Sequence, residues 1–189
     1  MRETTDHIVD LIERLGRIAR SAQHAEGMKP AQWESLRFLA RANKYSRTPG
    51  ALADFLSSTR GTVSQTLIAL EKKGLIKRKI DHGDARVKQL ELTTQGLAIV
   101  ERDPLHVLED AVASVGDDPG LAENLEGVLR GIIRQHGNRP FGVCLGCRHF
   151  RSDGASSHVK GPHRCMLLGE PLNDIDSNQI CREHEARAA

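Results

Sequence analysis

Aromatic residues are scarce in this chain of 189 residues, which has one Trp, one Tyr and four Phe. Little material is therefore at hand for an aromatic-lined pocket around a small ligand. Three signatures of catalysis are missing as well: a glycine-rich phosphate loop, a nucleophile elbow and a paired-histidine zinc-protease motif. Their absence argues against an enzyme. No apolar signal segment opens the chain, since Met1 to Asp10 is mostly polar, so the expectation is a protein that stays in the reducing cytoplasm with no membrane partner. Cysteine does not occur before position 144, and the net charge is only +2.

That small total conceals an uneven distribution. Residues 30–95 hold 12 Lys and Arg against 6 Asp and Glu, whereas residues 96–140 hold 4 against 8. Positive charge is thus gathered in one segment, as a partner with a phosphate backbone would require. The run Lys72, Lys73, Lys77, Arg78 and Lys79 belongs to it, although such a run taken alone reads equally well as a solvated face.

Within the basic segment the local signals spell a helix-turn-helix with a wing. Thr48 is a good N-cap and Pro49 suits the first helical position, with Ala51, Leu52, Phe55 and Leu56 forming a short apolar face. Ser57 and Ser58 interrupt it. Thr59 then caps a second helix to about Lys73, in which Val63, Leu67 and Leu70 point to the core and Gly74 supplies the stop. With that stripe fixed, Thr59, Arg60, Gly61, Thr62, Ser64 and Gln65 remain on the outer face near the N-terminal end, where a recognition helix meets base edges. Leu75 to Ile80 and Val87 to Leu92 read as a two-stranded wing around the turn Asp81-His82-Gly83-Asp84. Arg86 is placed to enter a minor groove or grip phosphate, with Asp84 orienting it and Lys88 beside it on the wing; the alternative is that Asp84 and Arg86 are turn residues only.

Helices are predicted on both sides. Thr5 to Gln23 carries Ile8, Leu11, Ile12, Leu15 and Ile18 at helical spacing, and Pro30 opens a helix with Trp33, Leu36, Phe38 and Leu39. Downstream, Thr93 caps a helix through Val100, Pro104 kinks or restarts it, and a last helix runs from about Pro119 to Gln135. The terminal stripes exceed what a winged domain needs, which predicts packing against a second copy of the chain.

The order of these elements, with Leu67-Ile68-Ala69-Leu70-Glu71-Lys72-Lys73-Gly74-Leu75-Ile76-Lys77-Arg78, then Asp81-x-x-Asp84-x-Arg86 and Leu92-Thr93-Thr94-Gln95-Gly96, resembles the MarR (multiple-antibiotic-resistance regulator) family over residues 5–136. The resemblance implies a homodimer joined by its terminal helices, two recognition helices in successive major grooves of a pseudo-palindromic operator in double-stranded DNA, wings over the minor grooves, and usually repression. By position it implies Arg60, Thr62, Ser64 and Gln65 as recognition residues and Arg86 as the wing-tip arginine. Ala85 stands where the family often has a second wing arginine.

Beyond Asn138 the chain adds a tail that the resemblance does not require. It holds all four cysteines, Cys144, Cys147, Cys165 and Cys181, spaced C-x2-C-x17-C-x15-C among many glycines and prolines. No helical stripe is evident, and such a composition does not bury enough apolar surface to offset chain entropy. In a reducing compartment a disulfide is a poorer explanation than a metal. Four thiolates suit an iron-sulfur cluster, 4Fe-4S or 2Fe-2S, or a zinc ion; the single C-x2-C pair with two lone cysteines favours the cluster. His149, His158, His163 and His184 are nearby alternatives to a cysteine ligand, or simply surface histidines.

The expected organisation is a mainly α fold with a small β wing. Residues 1–137 form the winged-helix and dimerisation domain, with the winged core at 30–95 and dimerisation helices at 1–25 and 96–136; residues 138–189 form a small irregular metal-bound domain. The expected function is operator binding controlled by a cluster that responds to redox, oxygen or iron and acts through the angle of the dimer. The alternatives are a structural zinc site with another effector and, in a different class, a thiol-disulfide oxidoreductase at Cys144-x-x-Cys147. That last reading lacks the preceding strand and following helix and leaves the other two cysteines idle.

Overall fold

The computed structural model describes residues 2–22, 27–80, 88–116, 118–152 and 161–187. A long first helix, α1 (Arg2–Ala22), precedes the helix at the centre of the fold, α2 (Pro30–Arg41). Because Trp33, Leu36, Phe38 and Leu39 spread around more than one side of α2, the helix is enclosed by its neighbours instead of lying on the surface; all four are closed to solvent. Against it pack α3 (Pro49–Phe55), α4 (Arg60–Lys72) and α5 (Thr94–Val100). Between α4 and α5 run β1 (Ile76–Ile80) and β2 (Lys88–Leu92), antiparallel with Ile76 opposite Leu92 and Arg78 opposite Leu90. Leu90 is fully buried, and its amide donates to the Arg47 carbonyl at 2.7 Å, which stitches the hairpin to the α2–α3 loop.

The caps fall where the side chains call for them. Thr48, Thr59 and Thr93 each accept a hydrogen bond from the backbone N–H three residues on, at 3.1, 3.1 and 3.0 Å. Gly74 ends α4 with φ +70°, a conformation that a side chain would strain. Gly96 has a different reason to be glycine: a Cβ there would lie 2.0 Å from the Leu75 carbonyl oxygen.

Two further helices, α6 (His106–Val115) and α7 (Pro119–Gln135), follow α5 and bury no side chain of their own. The break at Pro104 is held by Asp103, whose carboxylate takes both Nε and Nη2 of Arg37 on α2 and also accepts the Leu105 amide at 2.9 Å. Burial pushes this carboxyl up, but Arg37 and the Leu105 N–H outweigh it and hold it below the usual carboxylate range. On α1 the whole apolar stripe faces outward: Ile8, Leu11, Ile12, Leu15 and Ile18 are 40–52% exposed. Leu121, Leu125, Val128, Leu129 and Ile132 on α7 are exposed likewise. Among the described residues no helix is long and apolar enough to cross a membrane.

The tail corrects one expectation. It is not simply irregular: a 3-10 turn at Cys144–Gly146 leads into a three-stranded antiparallel sheet of β3 (Phe150–Ser152), β4 (His163–Cys165) and β5 (Glu170–Leu172), followed by the short helix α8 (Asp174–Ser177). Strands of three residues are too short to display an alternating pattern, so the sequence signal was absent. The tail also joins the winged-helix core. Phe141 meets Phe38 and Phe55 edge-on, with ring centroids 6.1 and 5.1 Å away, and Ile180 packs on the same core.

Candidate nucleic-acid interface and cysteine centre

Helix α4 presents two unlike faces. Val63, Leu67 and Leu70 are buried, while Thr59, Arg60, Gly61, Thr62, Ser64 and Gln65 all face solvent at its N-terminal end. The Thr59 and Thr62 hydroxyls lie 2.9 Å apart, so Thr59 serves chiefly the cap and Thr62 is drawn toward it. Ser57 forms the α3–α4 turn in a left-handed conformation, φ 49°, and the Ser58 amide donates to the Ala53 carbonyl at 3.0 Å. This tight turn sets α4 against α3.

Much of the basic run is spoken for. Lys79 and Lys77 both reach Glu91 across the hairpin, at 2.7 and 3.2 Å, and together hold its carboxyl below the usual range. Arg78 pairs with Glu71 at 3.3 Å, and Lys73 donates to the Gly27 carbonyl at 2.8 Å. The net field of this surface is therefore weaker than the run of lysines suggests. Asp84 and Arg86 lie outside the described residues, and of Lys88 the structure gives only its place on β2 opposite Ile80.

The four cysteines occupy one neighbourhood. Cys144 opens the 3-10 turn and its carbonyl accepts the Cys147 amide at 2.9 Å. Cys181 bridges to Gly142, two residues before Cys144, with its amide donating at 2.8 Å; Cys165 pairs with Phe150 across β3 and β4. All four are free thiols, with Cys144, Cys147 and Cys181 buried and Cys165 half-buried. Burial pushes the Cys144 thiol up to about 12, and the nearby Cys181, Cys147 and Cys165 push it the same way. Burial also raises Cys181, but three donors oppose it: the Asn43 side chain, the Glu183 amide and the Ser46 hydroxyl. Among the described residues no three His, Cys, Asp or Glu side chains are already arranged to hold a metal ion. The donors are gathered without being closed around a centre.

The histidines divide. His163 Nε2 is hydrogen-bonded to Asp174 at 2.9 Å, whereas His149 Nε2 lies 3.3 Å from a Glu185 oxygen without making a hydrogen bond. The His184 ring lies under Gly142, where a Cβ would come within 2.8 Å of it, and burial lowers its basicity. His158 lies outside the described residues.

Residues 26–87 match the family model described as the MarR family. That segment is similar to the MarR family. Solved structures of similar fold include three from Staphylococcus aureus. MepR in a DNA-binding conformation is 24% identical, with a TM-score of 0.59 over 70% of this chain and 98% of that one. A MepR–DNA complex is 24% identical, with 0.54 over 67% and 96%. MepR described as a transcription regulator of the multidrug efflux pump MepA is 23% identical, with 0.52 over 70% and 97%. Nearly all of each relative is therefore spanned by part of this chain, and the remainder of this chain has no counterpart there. No curated protein matches the chain.

Sequence reasoning missed the residues that join the MarR-like lobe to the cysteine module. Asn43 and Ser46 in the α2–α3 loop and Arg182 beside the last cysteine meet across more than a hundred positions, and Arg182 Nε donates to Asp54 on α3 at 2.8 Å. A basic residue next to a cysteine was the one visible hint.

Proposed function

We propose that this protein is a non-catalytic, DNA-binding transcription regulator of the MarR type that works in the cytoplasm as a homodimer and carries a metal centre on Cys144, Cys147, Cys165 and Cys181. The observation that carries the DNA reading is α4: its core stripe and its capped, wholly exposed N-terminal face are those of a helix built to enter a groove. The solved MepR–DNA complex of similar fold supports the same reading. Its dimer rests on α1, α6 and α7, whose apolar stripes are left exposed by the described residues. The domain division follows, with residues 1–137 for DNA and dimerisation and 138–189 for the metal.

For the metal the supporting observation is the donor set: four unbridged thiols, mostly buried, one of them ringed by three hydrogen-bond donors. A neutral thiol accepts hydrogen bonds weakly and a thiolate strongly, so that ring suits an anionic ligand. An iron-sulfur cluster is the reading favoured by one C-x2-C pair with two lone cysteines, and it would supply sensitivity to oxidants or iron supply. Zinc would supply structure alone.

Binding to a duplex recovered from a random-sequence pool, titrated with salt, tests the DNA half. Affinity should fall steeply with salt, and Arg60→Ala should weaken binding and lower the salt slope by about 1 if Arg60 meets phosphate, or cost about 1–3 kcal/mol at one base position if it reads a base. Weak, salt-insensitive binding would exclude the reading. Iron, sulfide and zinc counted per chain after anaerobic purification, with a visible absorption spectrum, decide the metal; zinc alone at one per chain removes redox sensing, and disulfide reductase turnover lost in Cys144→Ser would instead indicate an enzyme.

A further inference from the structure

In sequence the cysteine module follows α7, and the simplest expectation is that it acts on the dimer helices. Its hydrogen bonds lead elsewhere. Ile180, Cys181 and Arg182 run as a short strap along the α2–α3 loop: the Ile180 amide donates to the Arg41 carbonyl at 2.7 Å, and the Ile180 carbonyl accepts the Asn43 amide at 2.9 Å. The Arg182 amide donates to the Ser46 hydroxyl at 2.9 Å, and its guanidinium grips Asp54 of α3 through Nε and Nη2, at 2.8 and 2.7 Å. From the same loop Tyr45 donates to the Pro171 carbonyl at 3.1 Å, and Lys44 reaches Asp176 at 3.0 Å. Cys181 thus sits between two residues that are each tied to the DNA-binding lobe.

The loop also turns toward the sulfur itself. Asn43 is 1% exposed, its Nδ2 makes no closed hydrogen bond, and its side chain faces Cys181. A buried amide donor left open in this way costs stability unless something draws it in. A thiolate bound to a metal is the acceptor it lacks, whereas a neutral thiol is a poor one. Ser46 links two partners at once, accepting from the Arg182 amide while its side chain faces the Cys181 sulfur.

We propose that Asn43 and Ser46 are positioning residues for the Cys181 ligand, and that the Ile180–Arg182 strap transmits the loading of the four-cysteine centre to α3, and so to α4, within one subunit. A shift of Cys181 on loading moves Ile180 and Arg182 on either side of it; Arg182, tied to Ser46 through its amide and to Asp54 through its guanidinium, carries that shift to α3; and α3 packs directly on α4. Signal and recognition helix are then coupled through a path that bypasses the dimer interface.

This inference rests on the proposed metal and DNA readings, and the test separates the three. The full-length protein, loaded anaerobically with iron and sulfide or with zinc alone, is titrated with a duplex recovered from a random pool and compared with the chelated protein. Loading should change affinity about tenfold, and by reciprocity the duplex should shift the chelation midpoint by the same factor. Arg182→Ala, and from the other side Asp54→Ala, should keep metal content, spectrum and metal-free duplex binding while the loaded-to-free ratio falls to near one. Ser46→Ala should instead weaken the metal itself, by about tenfold or more, and alter the spectrum. The proposal is overturned if both strap variants retain the wild-type ratio, or if the loaded wild type binds DNA no differently from the chelated form. A wild type that takes up neither metal also overturns it, by metal content, and one that binds no duplex does so by the titration; each marks failure of the parent reading instead of the strap.

Discussion

Trp33, Leu36, Phe38, Leu39, Leu67 and Leu70 are all but closed to solvent in the winged-helix lobe, whereas among the described residues the apolar side chains and thiols that the cysteine module buries are Cys144, Cys147, Phe150, Leu172 and Cys181. Each fully buried aliphatic or aromatic side chain contributes about 1.5–3 kcal/mol, so the lobe is secured by packing. With two such residues, the module cannot offset the entropy of ordering its own loops in the same way. What it has instead is a convergent set of thiols and a row of polar contacts onto the lobe. The lobe is thus held by removal of apolar surface from water, the module by polar contacts that lean on its neighbour.

The contrast can be broken from either side. Removing the proposed metal should have the largest effect: structural zinc contributes about 10–16 kcal/mol of apparent binding free energy in zinc-finger peptides, so for a module that folds around such a centre chelation should erase hydrogen-exchange protection in β3, β4 and β5 while leaving the amides around Leu67 and Leu70 protected. Equal loss in both halves would show that they do not rest on different forces. Next, Leu67→Ala should cost about 2–5 kcal/mol and lower the melting temperature of the lobe without changing metal content. Arg37→Ala should cost about 2 kcal/mol near neutral pH by stranding the part-buried Asp103. Because the folded Asp103 carboxyl titrates below its ordinary value of 3.8, that contribution is complete above 3.8 and fades as the pH falls through the lower, folded value; acid titration of stability should be flatter in the variant there. Thr59→Ala should have the smallest effect, about 1 kcal/mol for the lost cap on α4, read by denaturant midpoint.

Most of the winged helix was legible because its signals are local. Thr48, Thr59 and Thr93 announce helix starts, Gly74 announces a stop, and the stripe Val63, Leu67, Leu70 assigns the faces of α4 within a few turns. The terminal stripes were legible for the same reason, and the structure leaves them facing solvent as an unpaired surface would. What was hidden depends on partners distant in the chain. Glu91 neutralises Lys77 and Lys79 only once the hairpin forms, so the basic run overstated the charge. The sheet of the tail has strands too short to carry a period, and the spacing of four cysteines says nothing of where Cys181 comes to rest. That its neighbours would be Asn43 and Ser46, brought from the α2–α3 loop of the winged-helix lobe, is a property of the fold alone.

Gly96 carries a consequence for how this chain is free to drift. Any Cβ at that position falls 2.0 Å from the Leu75 carbonyl oxygen, at the seam where the hairpin hands over to α5. Even alanine would pry the two apart. A saturation library sorted for folded protein alone should come back with glycine only at this codon, marking a spot where ancestry is constrained by backbone crowding.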